Sequence, residues 1–186
     1  MNLKDIEEPI LVNNILHIKD NMNVLEHLFR NGKFMLGINN DRIKGRLEKA
    51  LLNEVQHAGF TYATKKEPWE ENEKTYLFDN PLNLYAFVIV NQLSKQLNFD
   101  YKEIERIYYN YYCRDQFALE HTDSQNDDHI SIIYNFHTTD GGTVINGKKY
   151  QDQASQAKIF KSKWLHSSWP CVKDKGRVSL NIKLRV

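Results

Sequence analysis

The clearest hydrophobic pattern in this chain is the regular alternation over residues 177–186. The aliphatic positions are Val178, Leu180, Ile182, Leu184 and Val186, and the polar positions between them are Arg177, Ser179, Asn181, Lys183 and Arg185. Alternation with a period of two predicts a β-strand that buries one face and turns the other towards polar surroundings. We therefore expect this strand to pack one face on a core and to line a polar interior with the other.

Helical periodicity is confined to the first hundred residues. Apolar residues recur at helical spacing over residues 21–30, 40–57 and 81–99, so each segment is predicted to form a helix. The third segment is apolar on most sides, with Leu84, Phe87 and Val88 among its hydrophobic residues, and is expected to be largely buried. Residues 60–80 are polar and charge-rich, which is typical of a loop that covers a substrate or of an exposed hairpin.

Strand-like segments dominate the rest of the chain. Strands are predicted within residues 9–19, near 34–37, and over 104–113, 130–136, 158–161 and 177–186. Within 104–113, Tyr108, Asn110 and Tyr112 share one face. Many short strands around a polar interior predict a double-stranded β-helix, a jelly-roll of the cupin type. The expected fold class is α+β, mainly β, with the N-terminal helices packed on one sheet.

A chain of 186 residues fits one domain. We expect residues 1–186 to form a single unit, with 1–100 as helical support and candidate lid and 101–186 as the core strands that carry the chemistry. A hydrophobic fraction of 41% with 26% charged residues is typical of a folded globular protein. The longest apolar run, residues 85–90, is too short to cross a bilayer, so no membrane partner is expected.

The N-terminus and the cysteines favour the cytoplasm. The first eight residues include three acids and no apolar signal core, and two cysteines, Cys113 and Cys171, cannot form a disulfide framework.

Charge is uneven along the chain, because residues 142–186 hold ten Lys and Arg against two Asp although the whole chain has a net charge of +1. This basic C-terminal segment either attracts an anionic partner such as nucleic acid or simply balances the acidic remainder.

The candidate chemistry begins at His121 and Asp123. In an extended strand these two side chains project to the same face and can bind one metal ion. Two imidazoles and one carboxylate on one side of a metal form the facial triad of non-haem Fe(II) oxygenases. His166 is the best candidate for the third ligand, and His129 and His137 remain alternatives for that position.

Arg177 and Ser179 form a second candidate site. They share the polar face of the last predicted strand, eleven and thirteen residues after His166. A guanidinium offers a planar fork of donors and a hydroxyl adds one more, which suits a carboxylate ligand.

Together these residues resemble a known family. The matching segments, in order, are 110–117, His121-Thr122-Asp123, 132–135, 141–143, 158–160, His166 and Arg177-Val178-Ser179. They resemble the 2-oxoglutarate and Fe(II)-dependent dioxygenases, particularly the prolyl 4-hydroxylase-like branch. The resemblance implies that His121, Asp123 and His166 hold iron and that Arg177 pairs with the distal carboxylate of 2-oxoglutarate. It gives Ser179 and Tyr112 hydrogen-bonding roles there, with Asn110 as a looser candidate.

The resemblance also implies an activity. Such an enzyme uses Fe(II), 2-oxoglutarate and O2 to hydroxylate a substrate C–H bond, releases succinate and CO2, and can take ascorbate as an auxiliary reductant.

Peptidyl proline is the first substrate that the likeness implies, which makes a peptide or protein the expected partner. The order Asn110-Tyr111-Tyr112 before the iron motif is also similar to alkylated-DNA repair dioxygenases, so a nucleobase or nucleic acid is the alternative. A catalytically silent metal-binding barrel that binds a peptide or small acid is the alternative outside the enzymes.

Overall fold

A computed structural model describes residues 1–32, 35–36, 60–65 and 80–186. In this part of the chain a short 3-10 helix, Leu3–Asp5, precedes two α-helices, α1 (Ile18–Asn31) and α2 (Leu82–Leu97), and ten strands. The strands are β1 (Ile10–Val12), β2 (Met35–Leu36), β3 (Phe60–Lys65), β4 (Glu103–Cys113), β5 (His129–Asn135), β6 (Gly142–Ile145), β7 (Lys148–Gln151), β8 (Gln156–Lys161), β9 (His166–Trp169) and β10 (Gly176–Arg185). The helix predicted over residues 40–57 lies outside the described residues.

The strands form two antiparallel sheets. The major sheet has the order β1-β8-β5-β10-β4-β3-β2 and the minor sheet the order β7-β6-β9. Ile133 of the major sheet packs with Ile145 of the minor sheet, so the two sheets face one another. This arrangement confirms the predicted fold class, a mainly β protein built on a double-stranded β-helix.

The hydrophobic core lies between the helices and the outer face of the major sheet. The aliphatic face of β10 contributes Leu180, Ile182 and Leu184, which are fully buried with Val24 of α1 and Ile89 of α2. Burying one such side chain contributes about 1.5–3 kcal/mol. The alternation of residues 177–186 therefore has the predicted result, because the polar residues of β10 face the space between the sheets.

Both described helices depart in detail from the sequence expectation. Helix α1 begins at Ile18, earlier than predicted, because the His17 side chain caps it by accepting a hydrogen bond from the Lys19 N–H at 3.2 Å. Helix α2 is not buried on most sides, since Leu84 and Val88 are 48% and 42% exposed. Its apolar residues exceed what one sheet face can cover.

The polar segment 60–80 is not entirely a loop. Its first six residues form β3, which pairs with β4 and places Thr61 opposite Asn110. Backbone hydrogen bonds to a neighbouring strand stabilise this segment, and the polar composition of a segment does not reveal such pairing. Residues 66–79, the remainder of the predicted lid, lie outside the described residues.

A glycine makes the close approach within the minor sheet. A Cβ atom at Gly142 would lie 2.4 Å from the backbone oxygen of Tyr150 and 2.3 Å from a ring carbon of Trp169. Only glycine fits at this contact.

Neither described helix is long and apolar enough to cross a membrane.

Candidate metal centre

A short antiparallel bridge holds the first histidine of the motif next to the second. His121 lies opposite His166, and the backbone N–H of each donates to the carbonyl oxygen of the other at 2.9 Å. Residues that exchange both bonds in this way carry their side chains on the same face. The centroids of the two imidazole rings accordingly lie 4.3 Å apart.

Asp123 completes the group from the same segment. Its backbone N–H donates to the carbonyl oxygen of Ser162 at 2.9 Å, so the extended pairing continues to this residue. Its Oδ1 lies 3.8 Å from Nε2 of His121, and its Oδ2 lies 3.6 Å from Nε2 of His166. Each of these three residues offers one ligand atom, and these atoms all lie within 4.8 Å of one another. The structure thus brings together the three residues predicted to hold a metal.

The hydrogen bonds of the two histidines leave the same ring nitrogen available in each. Nδ1 of His121 lies 2.7 Å from the carbonyl oxygen of Leu119, and Nδ1 of His166 lies 3.0 Å from that of Trp164. A carbonyl only accepts, so each Nδ1 carries a proton and the neutral ring keeps its lone pair on Nε2. Nε2 of His166 is buried and makes no hydrogen bond within the described part of the chain. This donor set fits a metal ion.

Asp123 is ionised although its side chain is only 4% exposed. Burial acts to raise the pKa of this carboxyl, but the Arg106 guanidinium and the Ser131 hydroxyl hold it well below its usual range. Arg106 Nη2 lies 2.6 Å from Oδ1, and the Ser131 hydroxyl donates to Oδ2 at 2.6 Å. A charged carboxylate is therefore ready at neutral pH to act as a metal ligand.

The two alternative histidines lie apart from this group. His129 Nδ1 is 2.7 Å from the Ser124 hydroxyl and its Nε2 is 3.5 Å from a Glu105 carboxylate oxygen. His137 Nε2 is 3.4 Å from the carbonyl oxygen of Gly176. Neither belongs to the one cluster of metal-binding groups found among the described residues.

Arg177 projects between the sheets as predicted, but a protein carboxylate already contacts it. Its Nε lies 2.7 Å from Oδ2 of Asp152, and its Nη2 donates to Oδ1 at 3.2 Å. Its Nη1 donates to the carbonyl oxygen of Gly142 at 2.6 Å. The ring of Tyr112 lies beside the guanidinium, with 5.5 Å from its centroid to the guanidinium carbon.

The other predicted cosubstrate residues share this patch. In the sheet register Arg177 is opposite Tyr112 and Ser179 is opposite Asn110, so all four lie on the inner face of β10 and β4. Ser179 is buried. Burial raises the pKa of the Tyr112 hydroxyl, with the Arg177 charge acting in the opposite direction.

Three functional candidates are absent from the sequence-based prediction. Arg106 faces inwards by the same alternation as Tyr108, Asn110 and Tyr112, and it lies opposite Lys183 of β10. The even spacing of residues 106, 108, 110 and 112 along β4 is the sequence signal that could have found it. Lys158 could have been found from the alternation of β8, in which Lys158 and Phe160 point inwards. Asp152 lies in the connection between β7 and β8, where no hydrophobic periodicity predicts the direction of its side chain.

Solved structures share this architecture at low sequence identity. A Trichoplax adhaerens prolyl hydroxylase, in complex with a hypoxia inducible factor oxygen degradation domain peptide fragment, has a TM-score of 0.65 and 12% identity, covering 95% of this chain and 83% of that chain. An oxidoreductase of the 2OG-Fe(II) oxygenase family from Burkholderia pseudomallei has a TM-score of 0.55 and 14% identity, covering 94% and 93%. The chain has the fold of the 2-oxoglutarate and Fe(II) oxygenases.

The shared fold does not select a substrate. A non-haem α-ketoglutarate-dependent carbocyclase from nogalamycin biosynthesis has a TM-score of 0.65 and 7% identity, covering 95% of this chain and 79% of that chain. No family model and no curated protein matches the sequence. The substrate must therefore be argued from the residues of this site.

Proposed function

We propose that this protein is an Fe(II)- and 2-oxoglutarate-dependent dioxygenase that hydroxylates a substrate C–H bond, with peptidyl proline as its first substrate. The observation that carries the proposal is the convergence of His121, Asp123 and His166, with the ligand atoms within 4.8 Å of one another. Two imidazoles and one carboxylate are the donor set of non-haem Fe(II) oxygenases. In this proposal residues 1–186 act as one unit, with 101–186 as the catalytic core.

The protein orients each of the three ligands through a second residue. The carbonyl oxygens of Leu119 and Trp164 fix both imidazoles with Nε2 towards the centre. Arg106 and Ser131 hold the Asp123 carboxylate in place and ionised. Such supporting contacts align ligands for a metal before it binds. When bound, the iron would supply the oxygen activation that couples decarboxylation of 2-oxoglutarate, to succinate and CO2, with hydroxylation.

We assign the inner face of β10 and β4 to the cosubstrate. Arg177, Ser179, Tyr112 and Asn110 line this face and offer a guanidinium, hydroxyls and an amide to a dicarboxylate. Arg177 and Ser179 are buried between the two sheets, and charge-assisted hydrogen bonds are stronger where water is excluded. A cytoplasmic location fits this chemistry, because its reducing conditions keep Fe(II) and the two free cysteines reduced.

Peptidyl proline is supported by likeness at two levels. The motif order resembles the prolyl 4-hydroxylase-like branch, and a prolyl hydroxylase in complex with a peptide fragment shares the fold. A nucleobase substrate is less well supported, because Arg185, the second arginine of β10, pairs with Glu103 at 2.9 Å and lies 3.6 Å from Glu105.

The test is succinate formation by the purified full chain with Fe(II), 2-oxoglutarate, O2 and ascorbate. We expect slow succinate release without substrate, and faster release with a proline-containing peptide that gains one oxygen by mass spectrometry. The variant His166→Ala should form none. An oligonucleotide that gains oxygen while peptides do not would replace the proline assignment. Absence of succinate and of 2-oxoglutarate binding would contradict the proposal and favour a silent barrel.

A further inference from the structure

The positive charge of Arg177 is already balanced by a neighbouring carboxylate. Arg177 and Asp152 form a two-pronged ion pair, at 2.7 Å and 3.2 Å, and the two residues' side chains are only 2% and 1% exposed. The hydrogen bond to Gly142 uses one more of the guanidinium N–H groups. Arg177 therefore has donors left for a ligand, but its charge is shared with Asp152.

A second cation makes this buried cluster positive. Nζ of Lys158 donates to Oδ1 of Asp152 at 3.0 Å and also to Oδ1 of Asn135, and the Lys158 side chain is 0% exposed. Two cations thus contact one carboxylate. A buried charge without a counter-ion is costly, so the cluster favours one further anion. Burial, with a smaller effect from Arg177, lowers the pKa of Lys158 despite the opposing effect of Asp152.

Two uncharged donors beside the cluster have no hydrogen-bond partner in the part of the chain that the structure describes. Nδ2 of Asn135 and the hydroxyl of Thr143 are buried and make no hydrogen bond with any described residue. The amide oxygen of Asn135 accepts a hydrogen bond from Lys158. Thr143 follows Gly142, whose carbonyl oxygen accepts a hydrogen bond from Arg177. An unsatisfied buried polar group costs about 1–3 kcal/mol, so these groups indicate a missing ligand with acceptor oxygens.

We propose that Arg177, Asp152 and Lys158 form a carboxylate pocket in which Lys158 supplies the uncompensated positive charge, making Lys158 the residue that selects a dicarboxylic over a monocarboxylic 2-oxo acid. This inference rests on the proposed function, which requires 2-oxoglutarate as cosubstrate. Arg177 then acts as a donor that Asp152 holds in place. A distal carboxylate would bring the cluster to neutrality, whereas a 2-oxo acid without one would leave a buried charge.

The test compares binding of 2-oxoglutarate and 2-oxopentanoate to the Zn(II)-loaded full chain by calorimetry, which requires no turnover. The wild type should bind 2-oxoglutarate far more tightly. In Lys158→Met the cluster is already neutral, so 2-oxoglutarate should bind about 10- to 100-fold more weakly and the preference should shrink by the same factor. Lys158→Arg should retain most of the preference, because it keeps the charge.

Lys183→Met is the matched control. Lys183 is also fully buried and also faces inwards, but it lies six positions along β10 from Arg177 and pairs with Glu105 at 3.2 Å. At about 3.3 Å per residue the two positions are about 20 Å apart. Both methionine variants remove a buried lysine charge, and thermal melting will measure the stability that each loses. Only Lys158→Met should change the preference between the two acids.

A double variant separates charge from structural support. Asp152→Asn combined with Lys158→Met leaves Arg177 as the one charge and restores the wild-type balance. We expect the preference for 2-oxoglutarate to return, which a purely structural role of Lys158 does not predict.

A Lys158→Met protein that keeps wild-type affinity and preference would overturn this inference while leaving the proposed function intact. A wild-type protein that binds no 2-oxoglutarate would instead overturn the proposed function. If Lys158→Met does not fold, failure of the double variant to recover the preference decides against the inference.

Discussion

At the scale of single residues, the Asp123 carboxylate shows how the site keeps a charge where water is nearly excluded. Desolvation alone favours the neutral acid, but Arg106 at 2.6 Å and the Ser131 hydroxyl at 2.6 Å favour the ion. Together they outweigh burial, so the pKa of Asp123 lies well below its ordinary value. Arg106 is itself buried and also donates to Asn181 at 3.1 Å, so neither charge is isolated.

The variant Arg106→Met should therefore destabilise the metal-free protein. Removing one member of a buried ion pair leaves the other charge unpaired, which typically costs about 3–5 kcal/mol. We expect a metal ion to recover part of this loss, because it supplies Asp123 with another positive partner. Chemical denaturation with and without Zn(II) measures both effects.

The control for that prediction is Arg185→Met. Arg185 also pairs with an acid, Glu103, but both side chains are more than 40% exposed. An exposed pair of this kind contributes about 0–1 kcal/mol. Equal losses in the two variants would show that the contact between Arg106 and Asp123 is not the stabilising interaction described here.

At the scale of elements, buried hydroxyl contacts join helix α1 to the major sheet. The Tyr134 hydroxyl on β5 donates to Oδ1 of Asn21 at 2.6 Å and lies 3.1 Å from the Ser155 hydroxyl. Burial, opposed by these hydrogen bonds, raises the pKa of Tyr134 to about 12. The folded protein therefore holds this proton more tightly than the unfolded chain, whose tyrosines titrate near 10.0.

This difference predicts a loss of stability at alkaline pH. Because the folded pKa is the higher one, the contribution of Tyr134 is complete below the unfolded value and is lost as the pH rises towards about 12. At about 1.4 kcal/mol per pKa unit, the free energy of unfolding of the wild type should fall by up to about 3 kcal/mol more than that of Tyr134→Phe. Urea denaturation from about pH 9 to about pH 12 measures the difference. Parallel curves for the two proteins would contradict the role given to Tyr134.

At the scale of the whole molecule, the major sheet separates stability from chemistry. Its outer face holds the core shared with the helices, including Val24, Ile89 and Leu180. Its inner face holds the polar residues of β4 and β10 and meets the minor sheet, where His166 lies. Loss of a metal ligand on the inner side need not disturb the core on the outer side.

The variants His121→Ala and Asp123→Ala should consequently differ in stability although both lose metal binding. His121 is partly exposed and its Nδ1 bonds the carbonyl oxygen of nearby Leu119, so its removal should cost about 1 kcal/mol or less. Asp123→Ala leaves Arg106 buried without its carboxylate and should cost about 3–5 kcal/mol. Thermal melting together with Zn(II) calorimetry tests both statements. A large loss in His121→Ala would mean that the metal centre also supports the fold.

The sequence by itself determined the local features of this protein. Alternation over residues 177–186 is sufficient to predict β10 and its two faces, and the single residue between His121 and Asp123 places both side chains on one side of an extended segment. These features depend on backbone geometry over a few residues, which composition and spacing record directly. His166 is the best third-ligand candidate in the sequence, and the structure places it with the other two.

Only the tertiary structure decided which distant residues meet. The pairs Arg106 with Asp123 and Arg177 with Asp152 join separate segments of the chain. In a sheet, a shift of one residue moves every side chain to the opposite face, so such pairs depend on register and on connections that local patterns do not encode. For the same reason the charge balance around Lys158 becomes visible only once β8, β10 and the Asp152 connection lie together.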